Sequence, residues 1–159
     1  MTALVAATGT AALAAPASFV AHAVHASGTG AVGAQATGSL SWSSSLKTVT
    51  ITNVKFYVKG GECGSLAMTG WQGNTAVTST YLYPADGSDL CVASNTTVSL
   101  GTVSLTAGVA GGVTDVFVGA TDQTHKLLGY ADCYQSASAC EVGQTNSSLR
   151  TSKAASLRS

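Results

Sequence analysis

Lys47 to Lys59 reads KTVTITNVKFYVK, and the fold turns on how this stretch alternates. Val49 and Ile51 share one face, with Thr48, Thr50 and Thr52 opposite. Val54, Phe56 and Val58 then share a face, with Lys55, Tyr57 and Lys59 opposite. Side chains in a strand repeat every two residues, so a regular strand cannot keep both apolar sets on one side. The phase changes at Asn53. A bulge or bend there brings the two sets to one face; two strands joined by a short turn are the alternative. Gly60-Gly61 closes the segment with the backbone freedom a turn needs.

Further strand candidates follow along the chain. Thr75 to Tyr83 (TAVTSTYLY) stops at Pro84-Ala85-Asp86-Gly87, a strong turn string. Thr97 to Thr106 (TVSLGTVSLT) repeats the phase problem, with Val98 and Leu100 on one side, Val103 and Leu105 on the other, and Gly101 at the change. Val113 to Val118 (VTDVFV) is apolar on both sides, as in a strand covered twice. His125 to Asp132 leads into Cys133, and Leu66 to Met68 and Leu90 to Val92 are shorter candidates. Gly70-Trp71-Gln72-Gly73-Asn74 reads as a turn. No window after residue 26 carries a helix-length apolar stripe of period 3.6. Short strands rich in β-branched residues point to an all-β domain: a small antiparallel sandwich, or alternatively a small barrel.

The chain begins differently. Met1 to Ala26 (MTALVAATGTAALAAPASFVAHAVHA) contains no Lys, Arg, Asp or Glu. Its apolar run from Ala3 to Ala15, the break at Pro16 and the small-x-small pattern Val24-His25-Ala26 read as an export signal cleaved after Ala26. The expected organisation is a signal at 1–26, a flexible Gly/Ser/Thr/Ala lead-in at 27–39, one β-domain at 40–142 and a polar tail at 143–159. No stable membrane span is expected once the signal is removed.

Charge narrows the function classes. Seven Lys+Arg balance seven Asp+Glu, and only 9% of the residues are charged. No basic excess exists to neutralise phosphates, which argues against a nucleic-acid binder. Four cysteines, Cys63, Cys91, Cys133 and Cys140, all follow the export segment. An even count in an exported chain points to two disulfides, and of the three pairings Cys63–Cys91 with Cys133–Cys140 is favoured. Their spacings lack the tight Cys-x₂₋₄-Cys pairs that zinc prefers, so no metal site is expected.

Candidate chemistry is sparse. The acids of the body are Glu62, Asp86, Asp89, Asp115, Asp122, Asp132 and Glu141, scattered in sequence. Asp86-Gly87-Ser88-Asp89 lacks the further oxygen ligands of a calcium loop. His125 has no marked relation to a nucleophile, and there is no Gly-x-Ser-x-Gly elbow, phosphate loop or dinucleotide fingerprint. No catalytic residue and no cofactor is assigned. Aromatic side chains remain: Trp71, in its Gly/Asn surroundings, and Tyr134, at the start of the Tyr134–Ala139 loop, are the candidate ligand-binding residues. The expectation is a secreted, non-catalytic domain binding an extracellular glycan, cell-wall polymer or protein. A small glycan hydrolase using paired carboxylates, or a protease inhibitor presenting residues 134–139, are the alternatives.

Overall fold

A computed structural model describes residues 15–24, 31–78, 81–121 and 127–146. The described residues form strands, turns and loops, with no helix. Eleven strands follow one another: β1 (Ser18–Val24), β2 (Val32–Trp42), β3 (Thr48–Val58), β4 (Glu62–Gln72), β5 (Thr75–Ala76), β6 (Tyr81–Tyr83), β7 (Leu90–Val92), β8 (Thr96–Thr106), β9 (Asp115–Thr121), β10 (Leu127–Tyr134) and β11 (Glu141–Asn146). They build two antiparallel sheets. One has the order β1-β2-β3-β8. The other runs β11-β10-β9-β4-β5, with β6 and β7 also pairing β4. The sheets face each other as a sandwich and do not close into a barrel.

The phase change in β3 is resolved within a single strand. Asn53 adopts φ 54°, and the β2–β3 register slips between the pairs Thr37↔Lys55 and Ser39↔Thr52. In β8, Gly101 at φ 70° lies opposite Val54, so both strands take up their extra residue at the same level. Val49, Ile51, Val54, Phe56 and Val58 are consequently all buried on the inner face, with Val103 and Leu105 of β8. Asn is among the residues that tolerate this left-handed conformation, and Gly adopts it without steric cost.

The sheets extend beyond the bounds expected from sequence. β1 lies inside the segment read as an export signal, and β2 occupies much of the expected flexible lead-in. Phe19, Ala21, Ala23, Ala34 and Ala36 are all buried. Alternation among alanines was too weak a signal to mark a strand, because small apolar residues suit a leader equally well. β11 runs into the expected polar tail as far as Asn146. The expected Thr75–Tyr83 strand is present as two short pieces, β5 and β6. β4 is far longer than Leu66–Met68: the turn is confined to Gly73-Asn74, leaving Trp71 on the strand, opposite Ala76.

Where β1 of the smaller sheet crosses β10 of the larger, the two backbones nearly touch. A Cβ on Gly129 would lie 1.9 Å from the His22 carbonyl carbon, so only glycine fits. At the end of β1 the Gln144 side chain substitutes for a partner strand: its Nε2 donates to the Val24 carbonyl (2.9 Å) and its Oε1 accepts from the Val24 amide (2.6 Å).

Both disulfides form as the cysteine spacing suggests. Cys63–Cys91 ties β4 to β7 at directly opposed positions, and Cys133–Cys140 closes the loop between β10 and β11. The first spans 28 residues. Loop-closure entropy then gives it a worth of about 3–4 kcal/mol. The Cys63→Ala/Cys91→Ala double variant is expected to lose about that much in urea unfolding. Gly101→Ala provides a cleaner test of the bulge, because a Cβ there meets nothing within 4 Å. Its cost is purely conformational and is expected at about 1–2 kcal/mol in the same measurement.

Candidate functional site

β9 is buried at every position from Asp115 to Thr121. Val116, Val118 and Ala120 face the sandwich core. The alternate residues Asp115, Phe117, Gly119 and Thr121 belong to the outer face of the larger sheet, by the two-residue period of the strand. Register assembles the rest of that face. Across β4, Trp71 is opposite Asp115, Thr69 opposite Phe117, Ala67 opposite Gly119 and Ser65 opposite Thr121. Across β10, Tyr134 is opposite Asp115, Asp132 opposite Phe117 and Tyr130 opposite Gly119. On β11, Glu141 is opposite Asp132 and Gly143 opposite Tyr130.

Two diagonals emerge from this register. Trp71, Phe117 and Tyr130 step across β4, β9 and β10, each displaced by one cross-strand pair from the last. Trp71 and Tyr130 are half-buried and pack against Phe117, which is 7% exposed. The Phe117 and Tyr130 rings stack with centroids 5.7 Å apart and planes inclined by 19°. Such diagonal neighbours lie within reach of aromatic side chains, and ring pairs of this kind contribute about 0.5–1.5 kcal/mol beyond burial. The Tyr130 ring lies across Gly143, where a Cβ would come within 2.6 Å of the phenolic oxygen.

Beside this aromatic row runs a row of acids, Asp115 and then Asp132, one strand further toward β11. Both are nearly inaccessible, at 1% and 2% exposure. The Tyr134 hydroxyl donates to Asp132 Oδ2 (3.1 Å). Farther along the same face, the Ser65 and Thr121 hydroxyls lie 2.6 Å apart, closing the polar end of the sheet.

Trp71 and Tyr134, the two residues singled out from sequence, therefore share one face with Asp115 between them. Two strand spacings separate them, about 9–10 Å. Trp71 is placed there by a strand and not by a flexible loop. Sequence reading passed over Phe117, Tyr130, Asp115 and Asp132 as members of the same surface. The signal was present in the two-residue spacing of Asp115 and Phe117, and again in Tyr130, Asp132 and Tyr134. What was missing was the register that lays those strands side by side.

Glu62 and Asp86 lie elsewhere. Glu62 pairs with Lys59 (3.2 Å). Asp86 makes a local turn in which Ser88 donates to it from both its hydroxyl (2.6 Å) and its amide (3.0 Å). The Ser88 hydroxyl, and secondarily the Ser88 amide, hold the Asp86 carboxyl below its ordinary pKa. Asp122 and His125 lie outside the described residues. In the loop closed by Cys133–Cys140, Gln135 donates from its amide to the Thr114 carbonyl (2.8 Å), which ties the loop to the start of β9. The chain matches no known protein family, no curated protein and no solved structure.

Gly143→Ala tests how the aromatic row is seated. The added methyl forces the Tyr130 ring off Phe117. The expected outcome is a weakened near-ultraviolet circular dichroism signal and a loss of about 1–2 kcal/mol in urea unfolding.

Proposed function

We propose that this protein is an exported, non-catalytic domain that binds a neutral glycan on the outer face of its larger sheet. The observation that carries the reading is the aromatic diagonal Trp71–Phe117–Tyr130. Sugar rings present apolar C–H faces, and aromatic rings held at fixed spacing are suited to stack on them. Phe117 serves as the buried support, while half-buried Trp71 and Tyr130 supply the contact surface. Their seats are on paired strands, so little ordering is required on binding.

The surroundings support binding over hydrolysis. Glycoside hydrolysis needs two carboxylates that reach the scissile bond from opposite sides. Asp115 and Asp132 share a face, but at 1% and 2% exposure they lie beneath the surface. Asp132 is engaged by Tyr134, a supporting role for the rim of the site. The chain's zero formal charge and low charged content suit a neutral polymer, whose recognition needs no counter-charge. Export accords with two disulfides in a chain of this size.

Pull-down against insoluble neutral polysaccharides, with cellulose and chitin as probes, tests the reading. Trp71→Ala is expected to weaken binding to the retained polymer by about tenfold or more, measured at a temperature where its own unfolding curve shows the variant folded. Full retention of binding by both Trp71→Ala and Tyr130→Ala, or no binding of the intact protein to any of these polymers, overturns the proposal.

A further inference from the structure

The sheet edges are finished in different ways, and β8 stands apart. β1 is closed by the near approach of Gly129 and by the Gln144 side chain, which holds both backbone groups of Val24. β11 is six residues long and starts with the exposed charge of Glu141. The opposite edge of the larger sheet is broken into β5, β6 and β7, of two, three and three residues. Short strands and charges keep an edge from pairing with another chain. β8 has neither. It runs for 11 residues, Thr96–Thr106, without a charged residue or a proline. Among the described residues no strand pairs with its outer side. The core is also less sealed here. Tyr83 of β6 meets the ring of Phe56, whose partner on β8 is Val98, so β6 lies across from β8. Tyr81, Tyr83, Leu90, Val92 and Leu100 are only half-buried, and Leu82 is 38% exposed. On the β1 side, by contrast, Phe19, Ala21 and Ala23 are buried.

The order of residues along β8 is complementary to itself. The strand reads Thr97-Val98-Ser99-Leu100, then Gly101, then Thr102-Val103-Ser104-Leu105-Thr106. Thr97 and Ser99 are exposed before the bulge, and Thr102, Ser104 and Thr106 after it, while Val103 and Leu105 are buried. Two such strands laid antiparallel about a point between Gly101 and Thr102 match Thr97 with Thr106, Val98 with Leu105, Ser99 with Ser104 and Leu100 with Val103. Polar residues then meet polar ones on the outer face, and apolar residues meet apolar ones on the inner face. We propose that β8 pairs in this register with β8 of a second copy across a twofold axis, joining two four-stranded sheets into one. A contact of this symmetry uses the same surface twice, so self-complementarity is its requirement. With zero formal charge on each chain, no net repulsion opposes it. The closed pair satisfies both edges at once and brings cover to the half-buried residues beside them. At 3.3–3.4 Å per residue the shared edge is about 36 Å long. The pairing lies in the smaller sheet and does not depend on glycan binding by the larger one.

Size-exclusion chromatography with light scattering tests the pair at about 100 μM protein, where an interface with a micromolar dissociation constant is populated. The expected result is twice the mass of one chain. Ser99→Glu/Ser104→Glu sets like charges opposite each other twice in the pair and is expected to raise the dissociation constant by about tenfold or more. Ser99→Glu/Ser104→Lys sets opposite charges at the same places and is expected to restore the dimer. Both serines are exposed, so each variant is expected to keep its fold, which its own unfolding curve checks. A dimer that the first double variant leaves intact, or that the second does not restore, overturns this pairing. So does an unsubstituted protein that is a monomer. Hydrogen exchange on that monomer identifies what takes the place of the second copy. Protected β8 amides point to another segment of the same chain, and unprotected ones to an edge that receives an extended peptide.

Discussion

At Asn53 in β3 and at Gly101 in β8, neighbouring strands change which set of alternating residues they send inward, and they do so at the same level. The core of the smaller sheet depends on this. Without the extra residue in β3, either Val49 and Ile51 or Val54, Phe56 and Val58 would face water. Each such side chain contributes about 1.5–3 kcal/mol when fully buried. One residue held in the left-handed region costs about 1–2 kcal/mol, and less for Asn or Gly. The burial term is several times the larger, so the kink is the favoured solution. β2 runs past it without a matching insertion, and its inward Gly38 accommodates the Phe19 ring.

The second constraint is proximity of the two sheets. Alanines at 21, 23, 34 and 36 in β1 and β2, and at 120 and 131 in β9 and β10, are buried. Small residues on facing strands let backbones approach, and Gly129 is the extreme case. An alanine-rich beginning that suggests only a leader by composition therefore contains part of the packing of the fold. Large side chains fill the opposite side of the sandwich, where Phe56 meets Tyr83 edge to face at 6.2 Å.

The larger sheet carries its load on both faces. Its inner face completes the core. Its outer face holds the aromatic diagonal and the neighbouring acids, on strands that are hydrogen-bonded on both sides in β9 and β10. Cys133 points inward between outward-facing Asp132 and Tyr134, so the disulfide to Cys140 fixes the end of β10 just where the acidic row lies. Strands paired on both sides hold these residues in place, which is what favours the proposed binding role.

Much of this architecture was legible in the amino-acid order. Alternation in KTVTITNVKFYVK and TVSLGTVSLT marked two strands and the positions of their bulges, because a two-residue period makes any phase error visible locally. The cysteine spacing favoured the pairing that forms. β1 and all but the end of β2 near Leu40 and Trp42 escaped notice because alanine, glycine and serine carry little periodic contrast, and only the large ring of Phe19 and the glycines that receive it give them a role. Trp71 and Tyr134 were recognisable as aromatic residues with a possible surface role, but their chain neighbours could not reveal that they share a face with Phe117, Tyr130, Asp115 and Asp132. Period two assigns each residue to one side of its own strand. Which strands lie adjacent, and in what register, is set by long-range packing between segments far apart in sequence, and that alone aligned the aromatic and acidic rows.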